Sequence, residues 1–291
     1  MKKIGIIALL MLPFLANGQD SLYARRVVCD LASPQMYGRG MQHRGDSIAA
    51  DYLRNELKAI GLRPLTNDYY QYFTFPETRT TPPIVEAGYR SQNVCAYLPG
   101  KSDTMLVFTA HYEHVGMHGD TIFFGAHDNA SGTAAVLDLA RSLAKGNPAT
   151  PYTCVFLFFG GEESGLIGSY HFATHPLIPM SKVKLLVNID LFCGGDEGLM
   201  VVNATDPKTQ PYVDRMDNIN AQHHYAAKIG RRKNAPNSDH WFLSQLCPAI
   251  FIYTLGGPYG GYHSPTDTCE GCGLGHFSDF LSLIADLIRG L

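Results

Sequence analysis

The feature that most restricts the fold of this 291-residue chain is a set of short, uninterrupted apolar runs: Met105–Thr109, Tyr152–Phe159, Lys184–Ile189 and Ala249–Thr254. A strand with one face in water alternates apolar and polar residues, whereas a strand covered on both faces reads as a continuous apolar stretch. The runs are too short for helices. Between them, Ser131–Ala144 and Gly165–Ala173 carry helical spacing, and a last helix is expected from about His276 to Ile288. Upstream, residues 20–32 can form an amphipathic helix. Asp46–Ile60 repeats Ile48, Ala49, Tyr52, Leu53, Leu57 and Ile60 at helical intervals, and Gly61 stops it. Ser33-Pro34 and Gly38-Arg39-Gly40 break the chain between these helices, and residues 64–91, with Pro76, Pro82 and Pro83, read as irregular. Buried strands alternating with helices give an α/β fold: a mixed, largely parallel central sheet with helices on both faces. No repeat or long linker divides residues 19–291, which read as one domain with a helical and irregular part over 19–91 and a core over 92–291.

Hydrophobic residues at 45% and charged residues at 17% suit a packed core rather than a disordered chain. A formal net charge of -3 gives no basis for nucleic-acid binding, which calls for a basic surface. The one dense basic cluster, Arg231-Arg232-Lys233, is short and reads as a solvated loop. At the N-terminus, Lys2 and Lys3, an apolar stretch from Ile4 to Ala16, and the small residues of Ala16-Asn17-Gly18 read as a signal peptide over residues 1–18, cleaved before Gln19. Pro13 interrupts the stretch, which is too short for a span of ~20 residues. The expectation is a secreted or periplasmic protein, free of the membrane after cleavage. Seven cysteines, Cys29, Cys95, Cys154, Cys193, Cys247, Cys269 and Cys272, leave at least one thiol unpaired within the chain. Cys269 and Cys272 are expected to pair with each other, and Cys154, inside an apolar run, to be core. A zinc ribbon would need a second such closely spaced pair, which is absent from the sequence.

The runs end in chemistry. Met105–Ala110 leads into His111; Tyr152–Phe159 leads through Gly160-Gly161 into Glu162-Glu163; Leu185–Ile189 leads into Asp190. In open α/β sheets, ligand sites lie beyond the carboxyl ends of the strands. Carboxylates ending buried runs are costly unless positive charge pairs with them, and several on one edge suggest a cation. Gly125-Ala126-His127-Asp128-Asn129-Ala130-Ser131-Gly132 precedes a helix and by itself reads equally as a capping turn. Tyr262-His263-Ser264-Pro265-Thr266-Asp267-Thr268 lies in a glycine-rich loop, where a lone histidine is usually structural.

Taken in order, His111-Tyr112-Glu113, Asp128-Asn129-Ala130-Ser131-Gly132, Gly161-Glu162-Glu163-Ser164-Gly165, Asn188-Ile189-Asp190 and His263-Ser264-Pro265-Thr266-Asp267 resemble the zinc-dependent exopeptidases of the M28 family. Ser33–Gly40 and the helix after it look like the N-terminal part of secreted bacterial members. The resemblance implies a zinc-exopeptidase (phosphorylase/hydrolase-like) three-layer sandwich. It implies two Zn2+ ions bridged by Asp128, one completed by His111 and Asp190, the other by Glu163 and His263. It makes Glu162 the general base and peptides with a free N-terminus the substrates. It offers Tyr262 as an oxyanion donor, with loop packing an equal alternative. Where the family usually has Asp two residues after the first histidine, orienting that ligand, this chain has Glu113. Such changes can alter metal affinity by ~10–100-fold, so the His111 metal is expected to be held more weakly. His114, His118 and His127 lie nearby and could modulate the site, but they read rather as surface or structural residues.

Ser238-Asp239-His240-Trp241-Phe242 also resembles a segment near the substrate pocket of relatives, where Trp241 would line specificity or sit in the core. The rival readings are a glutaminyl cyclase with a single zinc, in which Glu-Asp usually stands where this chain has Glu162-Glu163, and a carboxypeptidase, for which Arg231 and Arg232 are the only nearby cations. A non-catalytic binding protein on the same scaffold would usually have lost ligands that are all present here.

Overall fold

A computed structural model of the chain describes residues 21–80, 82–146, 150–258 and 261–291. The expected signal peptide and its cleavage site lie outside these residues. The strands are β1 (Arg63–Pro64), β2 (Tyr70–Thr74), β3 (Arg90–Leu98), β4 (Ser102–His111), β5 (Gly116–His118), β6 (Thr121–Phe123), β7 (Tyr152–Phe159), β8 (Val183–Ile189), β9 (Gly198–Val202), β10 (Ile229–Arg231) and β11 (Ala249–Leu255). The α-helices are α1 (Ser21–Leu31), α2 (Gly45–Ile60), α3 (Ser131–Lys145), α4 (Ile167–Thr174), α5 (Gln210–His223), α6 (His240–Leu243) and α7 (Phe277–Arg289). Nine strands form one sheet in the order β1-β3-β7-β4-β8-β11-β9-β10, with β2 also paired to β3, while β5 and β6 form a separate hairpin. The central strands β7, β4, β8 and β11 are mutually parallel, and β3 and β9 join this centre antiparallel.

The continuous apolar runs are explained by how their side chains divide. Along β4, Leu106, Phe108 and Ala110 enter a large core cluster with α1, α2, α3 and α7, while Val107 enters a second cluster with Phe172 of α4 and Leu243 of α6. Along β7, Phe156 and Phe158 go to the first cluster, and Val155, Leu157 and Phe159 to the second. Successive side chains of a strand point to opposite faces, so helices on both faces demand apolar residues at every position. Cys154 is buried and unpaired, as its place in such a run predicts.

Two sequence expectations are corrected. The stretch 64–91 is not wholly irregular: β2 lies in it, adding antiparallel to β3. Nor does β3 read as a buried strand, because Ser91, Gln92 and Asn93 sit in its buried centre. Each of the three side chains is hydrogen-bonded there. Ser91 Oγ donates to Asp46 Oδ2 (2.7 Å), Gln92 Nε2 to the Tyr112 hydroxyl (3.0 Å), and Asn93 Nδ2 to Gln71 Oε1 (3.1 Å) and the Gly168 carbonyl (2.9 Å). Buried polar groups are tolerated when so paired. Cys269 and Cys272 do not bond to each other: Cys269 pairs with Cys29 of α1, and Cys272 with Cys193. Among the described residues, no helix is long and apolar enough to cross a membrane.

Arg39, assigned no role of its own from the sequence, is fully buried. Its guanidinium donates to the carbonyls of Tyr112 (2.7 Å), Leu31 (2.7 Å), Phe124 (2.6 Å), Gly125 (2.6 Å) and Asp128 (3.3 Å). Burial pulls its pKa down to about 10, against the pull of Asp267, Asp128, Glu113 and Glu163. The side chain gathers α1, the segment after β4 and the turn before α3 around one charge.

Candidate metal centre

Register assembles the first half of the site. In the parallel pair β4/β8, Thr109 lies opposite Asn188, so His111 and Asp190, two residues further on, leave the sheet side by side. Thr109 Oγ1 donates to Asn188 Oδ1 (2.6 Å), which shows that these positions share a face. His111 Nε2 then stands 3.2 Å from Asp190 Oδ1 and 3.3 Å from Asp128 Oδ1. Asp128 comes from the turn Ala126–Ala130 that opens α3. That turn is pinned from two sides. Asp267 accepts hydrogen bonds from the backbone N–H groups of His127 (2.8 Å) and Asp128 (3.1 Å). Asn129 Nδ2 donates to the Ile189 carbonyl (3.1 Å), and its Oδ1 accepts from the Gly132 N–H (2.9 Å). Gly132 has no alternative here, because a Cβ would stand 2.5 Å from the Ile189 carbonyl oxygen.

The other oxygen of Asp128 faces a second set of donors. His263 Nε2 lies 3.1 Å from Asp128 Oδ2 and 2.9 Å from Glu163 Oε2. Asp128 therefore presents one carboxylate oxygen to His111 and Asp190 and the other to His263 and Glu163. Ligand atoms of His111, Asp128 and Asp190 lie within 4.8 Å of one another, as do those of His114, Asp128 and Glu163, and those of His111, Glu113 and Glu162.

The electrostatics fit cations at these places. Burial alone would keep His111 neutral, but Asp190, Glu162 and Asp128 outweigh it and hold its pKa well above the usual value. For His263, burial is likewise overcome, by Asp128 and Glu163, and the ring is raised to about 10. Asp128 is held well below its usual range despite burial, because His111 and His263 bond it. Glu163 is lowered too, with burial and Asp128 opposing and His114 and His263 prevailing. The carboxylates thus demand positive charge between them, and a metal ion would supply it in place of the imidazole protons. Imidazole nitrogen and carboxylate oxygen are donors that zinc takes.

Glu162, the neighbour of Glu163, is pushed the other way. Burial raises its pKa well above the usual value against the pull of His111, and Glu163 and Asp190 raise it further. Glu113 does not do what a shorter aspartate would. Its carboxylate Oε1 is 3.8 Å from His111 Nδ1, and its own backbone carbonyl takes that nitrogen at 3.1 Å. The same Oε1 accepts the Glu163 N–H (3.1 Å), and burial raises the Glu113 pKa to about 8. Tyr262 is 49% exposed and stacks on His263 with ring centroids 3.8 Å apart.

Three residues given no definite role at the site by the sequence bear on it. Ser238 Oγ donates to Asp190 Oδ2 (2.8 Å) and accepts from Asn188 Nδ2 (2.8 Å), fixing that carboxylate. Asp267 anchors the Asp128 turn. His114 is fully buried at Glu163, while His118 is exposed. His127 is buried, with its Nδ1 accepting the Cys193 N–H (3.2 Å). Trp241 is half-buried in α6. The only signal for Ser238 and Asp267 was their place in quoted motifs, and for His114 its nearness in sequence to His111.

Fold and donor set together are those of an α/β metallohydrolase. The model of peptidase family M28 matches residues 93–288, and the chain belongs to that family. It is 26% identical over 196 residues to a probable leucine aminopeptidase of Arthroderma otae, an alignment that covers 64% of this chain and 54% of that protein, so the chain matches about half the length of that relative. It shares its fold with a leucine aminopeptidase precursor from Bacteroides thetaiotaomicron (TM-score 0.74, 16% identity, 94% of this chain and 98% of the other). A glutaminyl cyclase of the same organism has the same fold (TM-score 0.74, 15% identity, 94% of this chain and 99% of the other), so fold does not separate these two activities.

Proposed function

We propose that the protein is a two-zinc aminopeptidase that removes the N-terminal residue of peptides with a free amino group. The observation that carries this reading is Asp128, whose oxygens face two separate sets of imidazole and carboxylate donors. Asp128 would be shared by two ions, His111 and Asp190 would complete one set, and Glu163 and His263 the other. When bound, the pair would polarise the scissile carbonyl and lower the pKa of the attacking water toward ~7. Glu162 would accept that water's proton as its oxygen attacks the carbonyl carbon. It would then pass the proton to the departing amine as the C–N bond breaks. A carboxylate raised by burial suits a group that must both accept and donate. Ser238 holds Asp190 and Glu113 holds the backbone at Glu163, so two ligands are oriented before substrate arrives. Tyr262, steadied by its stack on His263, would donate its hydroxyl to the oxyanion. Export fits a chain held by two disulfides.

Arg231 is unsuited to hold a substrate carboxylate. It lies on the edge strand β10, three strands out from β8, and is paired to Asp214 (2.7 Å) and Asp217.

The test uses peptides beginning with leucine, beginning with glutamine, and blocked at the N-terminus, each with and without a zinc chelator, read by mass spectrometry. Stepwise loss of N-terminal residues from the unblocked peptides alone, stopped by chelation, is expected. Loss of ammonia from the glutamine peptide without hydrolysis would replace the reading with a cyclase. Trimming from the carboxyl end would replace it with a carboxypeptidase.

A further inference from the structure

His114 stands three residues after His111 on the segment that leaves β4, and its side chain is fully buried. Its Nδ1 lies 2.8 Å from Glu163 Oε1. Neither atom makes an aligned hydrogen bond to the other or to any described residue, and both are shut off from solvent. A donor and an acceptor this close, with this much burial, normally align, because an unmade buried hydrogen bond costs about 1–3 kcal/mol. Two buried electron-pair donors that approach without aligning suit the ligands of a common cation. The remaining geometry agrees. His114, Asp128 and Glu163 offer ligand atoms within 4.8 Å of one another. The His114 ring meets that of His263 edge to face, with centroids 5.8 Å apart. The chain also leaves room for the ring, since a Cβ on Gly125 would stand 2.5 Å from its Cγ and Cδ2.

We propose that His114 is a further protein ligand of the metal held by Asp128, Glu163 and His263, an inference that rests on the metal-dependent reading above. The two ions would then be unequal. Four protein donors would serve the Glu163 side and three, His111, Asp190 and Asp128, the other, which would leave the His111 side the more open to water and substrate. The more open side is the one beside Glu162, whose carboxylate lies within 4.8 Å of His111. The Glu163 side would hold its ion the more tightly, and the His111 side would be the more readily exchanged.

The experiment loads the full-length mature protein, labelled with nitrogen-15 in its histidines, with cadmium-113 and reads one-bond metal–nitrogen couplings by NMR. Couplings to three imidazoles are expected, those of His111, His263 and His114. In His114→Gln one of the three should vanish while the others persist, and competition with a chelator should show one ion loosened by about tenfold or more. Couplings to His111 and His263 alone would overturn the proposal and leave the metallopeptidase reading standing. Even if a loosened ion accompanied that result, His114 would only position Glu163. No coupling to any histidine would remove both. If His114→Gln fails to fold, the number of coupled imidazoles in the wild-type protein still decides, with assignment through the His111→Gln and His263→Gln variants.

Discussion

Glu162 and Glu163 are the same side chain at successive positions, and their surroundings separate them. Glu163 faces His114 and His263, which hold it ionised; Glu162 is buried beside Glu163 and Asp190, which favour its proton. In the reading proposed above, this split would make Glu163 the ligand and Glu162 the proton carrier. Glu162→Gln should therefore lower kcat by about 10²–10⁴-fold with metal content unchanged, measured by steady-state kinetics alongside elemental analysis. A parallel loss of metal would show that Glu162 is a ligand instead. The pair of glutamates was legible in the sequence, but their opposed shifts were not, because each depends on groups brought from β4, β8 and the Asp128 turn. Away from the site, His240 is fully buried, with Nε2 bonded to Asn234 Oδ1 (3.1 Å). Burial lowers its pKa from 6.5 to about 4. Above pH 6.5 both folded and unfolded forms are neutral there, and the stability is fully present. As pH falls toward about 4, the unfolded chain takes up the proton first, and about 3 kcal/mol is lost. Urea unfolding across this window should be steeper in pH for the wild type than for His240→Gln; equal slopes would mean that His240 already charges in the folded state.

At the scale of elements, Arg39 replaces hydrogen bonds that no strand or helix supplies. The carbonyls of Leu31, Tyr112, Phe124, Gly125 and Asp128 come from three separated segments, and one planar guanidinium satisfies them together. Arg39→Met should cost about 3–5 kcal/mol by leaving buried carbonyls without donors. It should also reduce metal content, because the Asp128 turn loses an anchor; chemical denaturation and metal analysis would read the two effects. A loss under about 1 kcal/mol would mean that water replaces the guanidinium. The continuous runs of β4, β7, β8 and β11 declared themselves because their environment is the same at every position. β3 did not, since its buried Ser91, Gln92 and Asn93 are acceptable only beside Asp46, Tyr112, Gln71 and Gly168, partners that sequence does not place. β2 was hidden for a related reason: a five-residue edge strand with exposed Tyr72 and Thr74 carries too little apolar pattern to stand out.

For the whole molecule, the two disulfides tie the segment after His263 at both of its cysteines. Cys269 is fastened to α1, 240 residues away in sequence, and Cys272 to Cys193, just beyond Asp190. The loop with Tyr262, His263 and Asp267 is thereby held against the strand ends that carry the other donors. Replacing Cys29 and Cys269 together by Ser should cost about 2–5 kcal/mol. Because Asp267 pins the Asp128 turn, the same variant should release metal at a lower chelator concentration than the wild type, and unchanged retention would show that packing alone holds the loop. What the sequence by itself determined is what short-range pattern can encode: buried parallel strands, the helices between them, and the donors His111, Glu162, Glu163 and Asp190 that follow strand ends. Tertiary structure alone decided which oxygen of Asp128 faces which histidine, that Cys269 and Cys272 have distant partners, that Glu113 turns from His111 to Glu163, and that His114 is buried against Glu163. Each of these depends on a distance of a few ångströms between residues far apart in the chain, or on a rotamer chosen by packing, and neither is a property of local sequence.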